Sequence, residues 1–75
     1  MAKFDFKEFG DRWRSPVVAR SEIRIFTGGA LSPAYMANMD SQERGPRGRI
    51  RIGRKIVYPL HELVRWLQER STDLD

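Results

Sequence analysis

Basic side chains are concentrated in one segment of the sequence, residues 44–55. This segment contains six basic residues and no acidic residue, whereas the other 63 residues carry eight basic and ten acidic residues. Five of the six are arginines, whose planar guanidinium groups suit paired hydrogen bonds to phosphate or guanine. Such a focused positive field attracts polyanions, although a solvated arginine-rich loop is the alternative. The candidate polyanion-contacting residues are Arg44, Arg47, Arg49, Arg51, Arg54 and Lys55.

Residue types that support catalysis or metal binding are scarce. The chain has no cysteine and a single histidine, His61, which leaves no cysteine-ligated metal site and no Ser–His triad. Its carboxylates are scattered and mostly neighbour arginines, so no acid/base pair is indicated. We therefore expect a protein that is not an enzyme and has no catalytic residue, no cofactor and no metal.

Size and composition predict one small folded domain. The chain has 75 residues, of which 40% are hydrophobic and 32% are charged, as is typical of globular proteins. No apolar run approaches the roughly 18 residues of a membrane span. The N-terminus lacks the apolar core of a signal peptide. We expect a cytoplasmic protein that does not contact membranes.

Two short helices are predicted before the basic segment. Ser21 fits the N-cap of the first helix, about 21–27, which a glycine pair ends. Ser32 and Pro33 give a sharper start signal for the second helix, about 33–42. Serine caps a helix, and proline fits its first position because the missing N–H needs no partner there.

The second helix has a face that can contact a ligand. Met36 and either Met39 or Asp40 are expected to face inward, which leaves Tyr35 and Asn38 on the other face. Asparagine can make a paired hydrogen bond to adenine, and a capping serine can donate to a phosphate at the helix N-terminus. The candidate contact residues on this helix are Ser32, Tyr35 and Asn38.

The basic segment itself predicts a β-hairpin. Ile50 and Ile52 alternate with arginines, and Ile56 and Tyr58 repeat the alternation beyond a glycine. A three-residue loop, 53–55, places all four apolar side chains on one face and the arginines on the other. A two-residue turn would place Ile56 and Tyr58 on the arginine side. We therefore expect the three-residue loop.

The third helix, about 59–70, is the clearest element. Leu60, Leu63, Val64 and Leu67 follow the spacing of one helical stripe. The order of helix, turn, helix, basic hairpin and helix predicts an α+β winged helix-turn-helix over residues 15–70. We expect residues 1–14 to form an arm partly packed on the core and residues 71–75 to form a frayed tail. In this fold the second helix enters the major groove of DNA, and the wing contacts phosphates or the minor groove.

Residues about 17–67 resemble the small phage excisionases and AlpA-type regulators, which are winged-helix relatives of the MerR regulators. The resemblance implies site-specific binding to double-stranded DNA, for transcription regulation or for excision. Two features depart from the family pattern: a longer turn after the first helix and a long basic link before the wing. The residues that carry the resemblance are Glu22-Ile23, Phe26-Thr27-Gly28, Leu31-Ser32, Arg51-Ile52-Gly53-Arg54-Lys55-Ile56-Val57-Tyr58, Glu62-Leu63 and Trp66-Leu67.

The expected partners follow from this interpretation. They are double-stranded DNA, a second copy on paired or tandem sites, and an integrase or RNA polymerase; the bound protein would be associated with the nucleoid. Two other interpretations stay open. An arginine-rich hairpin also serves RNA-binding modules, although no aromatic residue is expected on the basic face to stack a base. The N-terminal aromatic residues could instead dock the chain on a partner protein such as an integrase.

Overall fold

The central element of the fold is a three-stranded antiparallel sheet, seen in a computed structural model that describes residues 4–74. The strands are β1 (Val17–Ala19), β2 (Ile50–Ile52) and β3 (Lys55–Pro59), in the spatial order β1-β3-β2. Because β3 is the middle strand, it buries both Val57 and Tyr58, which point to opposite faces. The first three residues of the predicted arm and the last residue of the predicted tail lie outside the described residues.

Four α-helices and one 3-10 turn accompany the sheet within residues 4–74. The helices predicted at 21–27, 33–42 and 59–70 are all found, and the first of them starts as the 3-10 turn. Ser32 caps its helix as expected, since its Oγ accepts a hydrogen bond from the Tyr35 N–H at 3.1 Å. The elements are α1 (Lys7–Arg12), the 3-10 turn (Arg20–Glu22), α2 (Ile23–Phe26), α3 (Pro33–Ser41) and α4 (Leu60–Glu69).

The prediction of three helices and a two-stranded hairpin was incomplete. The described part of the N-terminal arm contains α1, and the short apolar segment before the 3-10 turn is β1. Val18 of β1 lies directly opposite Tyr58 of β3. Three residues are too few to give a periodic signal in the sequence, and a strand this short forms only because a longer strand is available to pair with it.

The predicted hairpin register was wrong. The loop has two residues, Gly53 and Arg54, so Arg51 lies opposite Ile56 and Ile52 lies opposite Lys55. Gly53 has φ 62°, the positive value that the first position of a type II′ turn requires. Turn geometry therefore fixed the register against the apolar pattern. It could do so because β2 lies at the sheet edge, where its isoleucines are 46% and 58% exposed. The register of β2 therefore changes little apolar burial.

The core lies between the sheet and the helices. On α4 the buried residues are Leu60, Leu63 and Trp66, whereas two members of the predicted stripe, Val64 and Leu67, are only partly buried. Phe9 and Trp13 of the arm pack on Phe26, each with ring centroids 5.1 Å away. The other core residues are Val18, Ile23, Met36, Met39 and Tyr58.

Candidate nucleic-acid interface

Helix α3 presents one polar surface and one buried surface. Met36, Met39 and Asp40 are buried, whereas Tyr35 and Asn38 are exposed. These positions agree with the predicted helix phase. The Tyr35 hydroxyl already accepts a 2.7 Å hydrogen bond from the guanidinium of Arg70, just beyond α4. Asn38 is therefore the exposed amide that α3 offers to a ligand, while Tyr35 is partly engaged within the fold.

A buried polar network connects α3 to the sheet. The Tyr58 hydroxyl donates to Oδ2 of Asp40 at 2.6 Å, and Arg20 Nη2 donates to the same oxygen at 2.6 Å. Arg20 Nε also donates to the Tyr58 hydroxyl oxygen at 3.0 Å. Three residues from the start of the 3-10 turn, the end of α3 and the middle strand thus share one cluster.

Ionisation in this network follows from its burial. Burial raises the pKa of Tyr58 to about 12, and the hydrogen bond to Asp40 acts in the same direction. Burial on its own lowers the pKa of Arg20, but the hydrogen bonds to Tyr58 and Asp40 outweigh it, and the pKa is raised. Tyr58 is therefore neutral and Arg20 is charged at physiological pH, and Arg20 compensates the buried carboxylate.

Asp40 has one oxygen that the network does not use. Among residues 4–74, Oδ1 of Asp40 is buried and accepts no hydrogen bond. Arg49 Nη1 lies 4.0 Å away, within ion-pair distance but too far for a hydrogen bond. The backbone of Gly45 passes so close to this oxygen that an added Cβ would overlap it. The segment between α3 and β2 therefore passes the carboxylate at Gly45, where a larger side chain does not fit.

Sequence reasoning missed this network, although one signal pointed to it. Asp40 shares the inward face of α3 with two methionines, and a carboxylate at such a position needs a buried cation or donor. The arginine closest to Asp40 in sequence is Arg44. The structure instead brings Arg20, 20 residues away, against Asp40, and the Arg44 carbonyl accepts a hydrogen bond from Trp66 Nε1 at 2.9 Å.

The hairpin register decides where the basic residues lie. Arg51 and Ile56 are opposite each other, so Arg51 shares a sheet face with Tyr58, the face against which α3 packs. Arg49 is placed on this side by its 4.0 Å approach to Asp40. Ile50 and Ile52 lie on the opposite face and are exposed. Arg51 of β2 and Arg49 just before it therefore lie on the side of the sheet that carries α3.

The predicted basic residues are not all brought together. Arg54 at the turn and Lys55 at the start of β3 line a cleft that also includes Arg20 and Pro33. Arg47 lies elsewhere, in a groove against α4 that Glu62 and other residues of that helix line. Arg54 and Lys55 of the hairpin and Arg20 of the 3-10 turn thus share one cleft beside the start of α3.

Residues 4–74 contain no group of three or more His, Asp or Glu side chains arranged to hold a metal ion. None of the helices in this range combines the length and the apolar character that crossing a membrane requires. Comparisons with protein-family models, with curated proteins and with solved structures found no match to this chain.

Proposed function

We propose that this protein binds double-stranded DNA in a sequence-specific manner, as a small winged helix-turn-helix protein of excisionase-like or regulator-like type. Helix α2 and helix α3 form the helix-turn-helix, and α3 enters the major groove. The hairpin of β2 and β3 is the wing, which contacts phosphates or the minor groove.

One observation carries this proposal. The two-residue turn places Arg51 on the same sheet face as Tyr58, and the Tyr58 hydroxyl is bonded to Asp40 of α3. This arrangement supports the proposal that one duplex contacts both α3 and Arg51 of the wing.

The wing and α3 contribute affinity and sequence preference, respectively. Phosphate contacts from the wing are independent of sequence and supply most of the affinity. Asn38 is exposed on α3 and carries the amide that pairs with adenine in the major groove, so it contributes sequence preference. Ser32 caps α3 through its oxygen, which leaves its hydroxyl proton able to donate to a phosphate.

Binding to a pool of random duplexes tests the proposal. Fluorescence anisotropy across a salt series should give a slope of log K against log salt of about −4 to −5, as expected for roughly five neutralised phosphates. Single-stranded RNA of the same length should compete weakly. Absence of duplex binding, a flat salt dependence or stronger binding to RNA would contradict the proposal.

A further inference from the structure

A cleft of about 210 Å³ lies where the tip of the wing meets the start of α3. Three of its lining residues are cations, and no carboxylate lines it. The exposed Ser21 adds a hydroxyl group to its wall. The cleft is therefore a concave electropositive surface built from three separate segments of the chain. Its lining residues are Arg20, Ser21, Pro33, Arg54, Lys55 and Ile56.

Arg20 is the fixed part of this cleft. Its Nε donates to Tyr58 at 3.0 Å and its Nη2 donates to Asp40 at 2.6 Å. Its Nη1 makes no hydrogen bond within residues 4–74 and is not one of the buried atoms there that lack a partner. The Arg20 side chain is 24% exposed, so this edge of the guanidinium is open to a ligand. Because the guanidinium is held from behind, little side-chain freedom is lost when an anion binds to its free edge.

We propose that this cleft seats one particular phosphate of the DNA backbone, an inference that rests on the proposed function. The free edge of the Arg20 guanidinium and the Ser21 hydroxyl donate to the phosphate oxygens from one wall, and Arg54 approaches from the wing. A phosphate held between the wing tip and the start of α3 fixes the position of both elements on the duplex. The seat sets the register in which α3 reads the groove.

A scan of single phosphates tests this seat. In the duplex selected by the wild-type protein, each phosphate is replaced in turn by a neutral methylphosphonate. We expect one position per bound copy where the affinity falls by about tenfold or more, as for loss of a hydrogen bond to a charged group. Evenly distributed losses would overturn the proposal.

Variants connect that position to the cleft. In Ser21→Ala and in Arg54→Ala, the loss at the sensitive phosphate should shrink while losses at other phosphates stay the same, because the two partners of one contact are not additive. Lys7→Ala removes the same charge from α1 and should leave the whole profile unchanged. Strict additivity of Arg54→Ala at every phosphate would contradict the seat.

Arg20→Lys and inorganic phosphate complete the test. The lysine variant keeps the positive charge but lacks the paired N–H donors of the guanidinium. The affinity loss at the sensitive phosphate should therefore become similar to the losses at other phosphates, while the salt slope is unchanged. If this variant does not fold, the Ser21→Ala and Arg54→Ala variants still test whether the sensitive phosphate lies in the cleft. Tight binding of inorganic phosphate alone would point to a site for free anions and overturn the assignment to DNA. Absence of any duplex binding would overturn the proposed function, whereas duplex binding without a sensitive phosphate contradicts the cleft alone.

Discussion

The Tyr58 hydroxyl donates a 2.6 Å hydrogen bond to Oδ2 of Asp40, so the middle strand of the sheet is bonded directly to α3. Both side chains are buried, and Arg20 donates to the same carboxylate oxygen. This contact fixes the orientation of the β2–β3 hairpin relative to the exposed surface of α3. Stability and the proposed interface therefore depend on the same few atoms.

Tyr58→Phe should lower the free energy of unfolding by about 1 to 3 kcal/mol, because it removes a donor from a buried charged acceptor. Tyr35→Phe is the matched control. The Tyr35 hydroxyl meets Arg70 at the surface, and its loss should change stability by less than about 0.5 kcal/mol. Urea denaturation of both variants measures the difference. Equal effects of the two substitutions would mean that the buried bond to Asp40 contributes little.

Alkaline pH should destabilise the fold through Tyr58. Its pKa is raised from 10.0 to about 12, so between these values the unfolded chain loses the phenol proton and the folded chain keeps it. Stability is therefore fully present below pH 10 and decreases as the pH rises towards 12, by about 1 to 3 kcal/mol. Denaturation midpoints of the wild type and of Tyr58→Phe across this range provide the measurement. A decline of the same size in the phenylalanine variant would assign it to other groups.

Substitution of two glycines by alanine should have opposite effects. A Cβ at Gly45 would overlap Oδ1 of Asp40, so Gly45→Ala forces the link or the network to move and should cost about 1 to 3 kcal/mol. A Cβ at Gly10 would make an ordinary 3.7 Å contact with Leu60. Because Gly10 lies within α1, Gly10→Ala should stabilise the protein by about 0.5 to 1 kcal/mol. Thermal unfolding distinguishes the two signs, and stabilisation by both substitutions would disprove the close approach at Gly45.

Removal of charge from the wing should weaken DNA binding more than removal of the same charge elsewhere. The variant Arg51→Ala/Arg54→Ala should bind all duplexes more weakly and lower the magnitude of the salt slope by about 2, which corresponds to two lost phosphate contacts. The variant Lys7→Ala/Arg12→Ala has the same net charge but changes α1, where Arg12 is paired with Glu8. Its affinity and slope should be close to those of the wild type. Equal losses of affinity in both variants would mean that the wing arginines act only through the net charge of the protein.

Asn38→Ala should change which sequences are preferred rather than how tightly all duplexes bind. Loss of a paired hydrogen bond to a base costs about 1 to 3 kcal/mol at that base and relaxes selectivity there. Gln68→Ala removes an exposed amide from α4 and should leave the selected sequences unchanged. Selection from random duplexes with each variant is the measurement. An unaltered preferred site in Asn38→Ala would remove α3 from the recognition surface.

Several elements were predictable because their signals are local. The start of α3 is determined by Ser32 and Pro33, whose chemistry suits the first positions of a helix in any context. The exposure of Asn38 follows from the phase of the same helix. The concentration of basic residues in the hairpin is a property of the sequence alone.

Other features depended on contacts between distant residues. Nothing in three residues of β1 distinguishes a strand from a loop until β3 is placed beside it. The apolar pattern favoured a three-residue loop, but Gly53 allowed a tighter turn. The tighter turn costs little burial because the isoleucines of the edge strand are exposed.

The sequence by itself therefore determined which residues are charged, where α3 begins and which of its side chains face outward, because these depend on composition and on backbone preferences within a few residues. Only the tertiary structure decided that Arg51 projects on the side of α3 and that Arg20, rather than Arg44, compensates Asp40. It also decided that a basic cleft forms between the hairpin turn and the start of α3. These outcomes depend on strand register and on the burial of one carboxylate. Both are set by contacts across the fold that a local pattern does not encode.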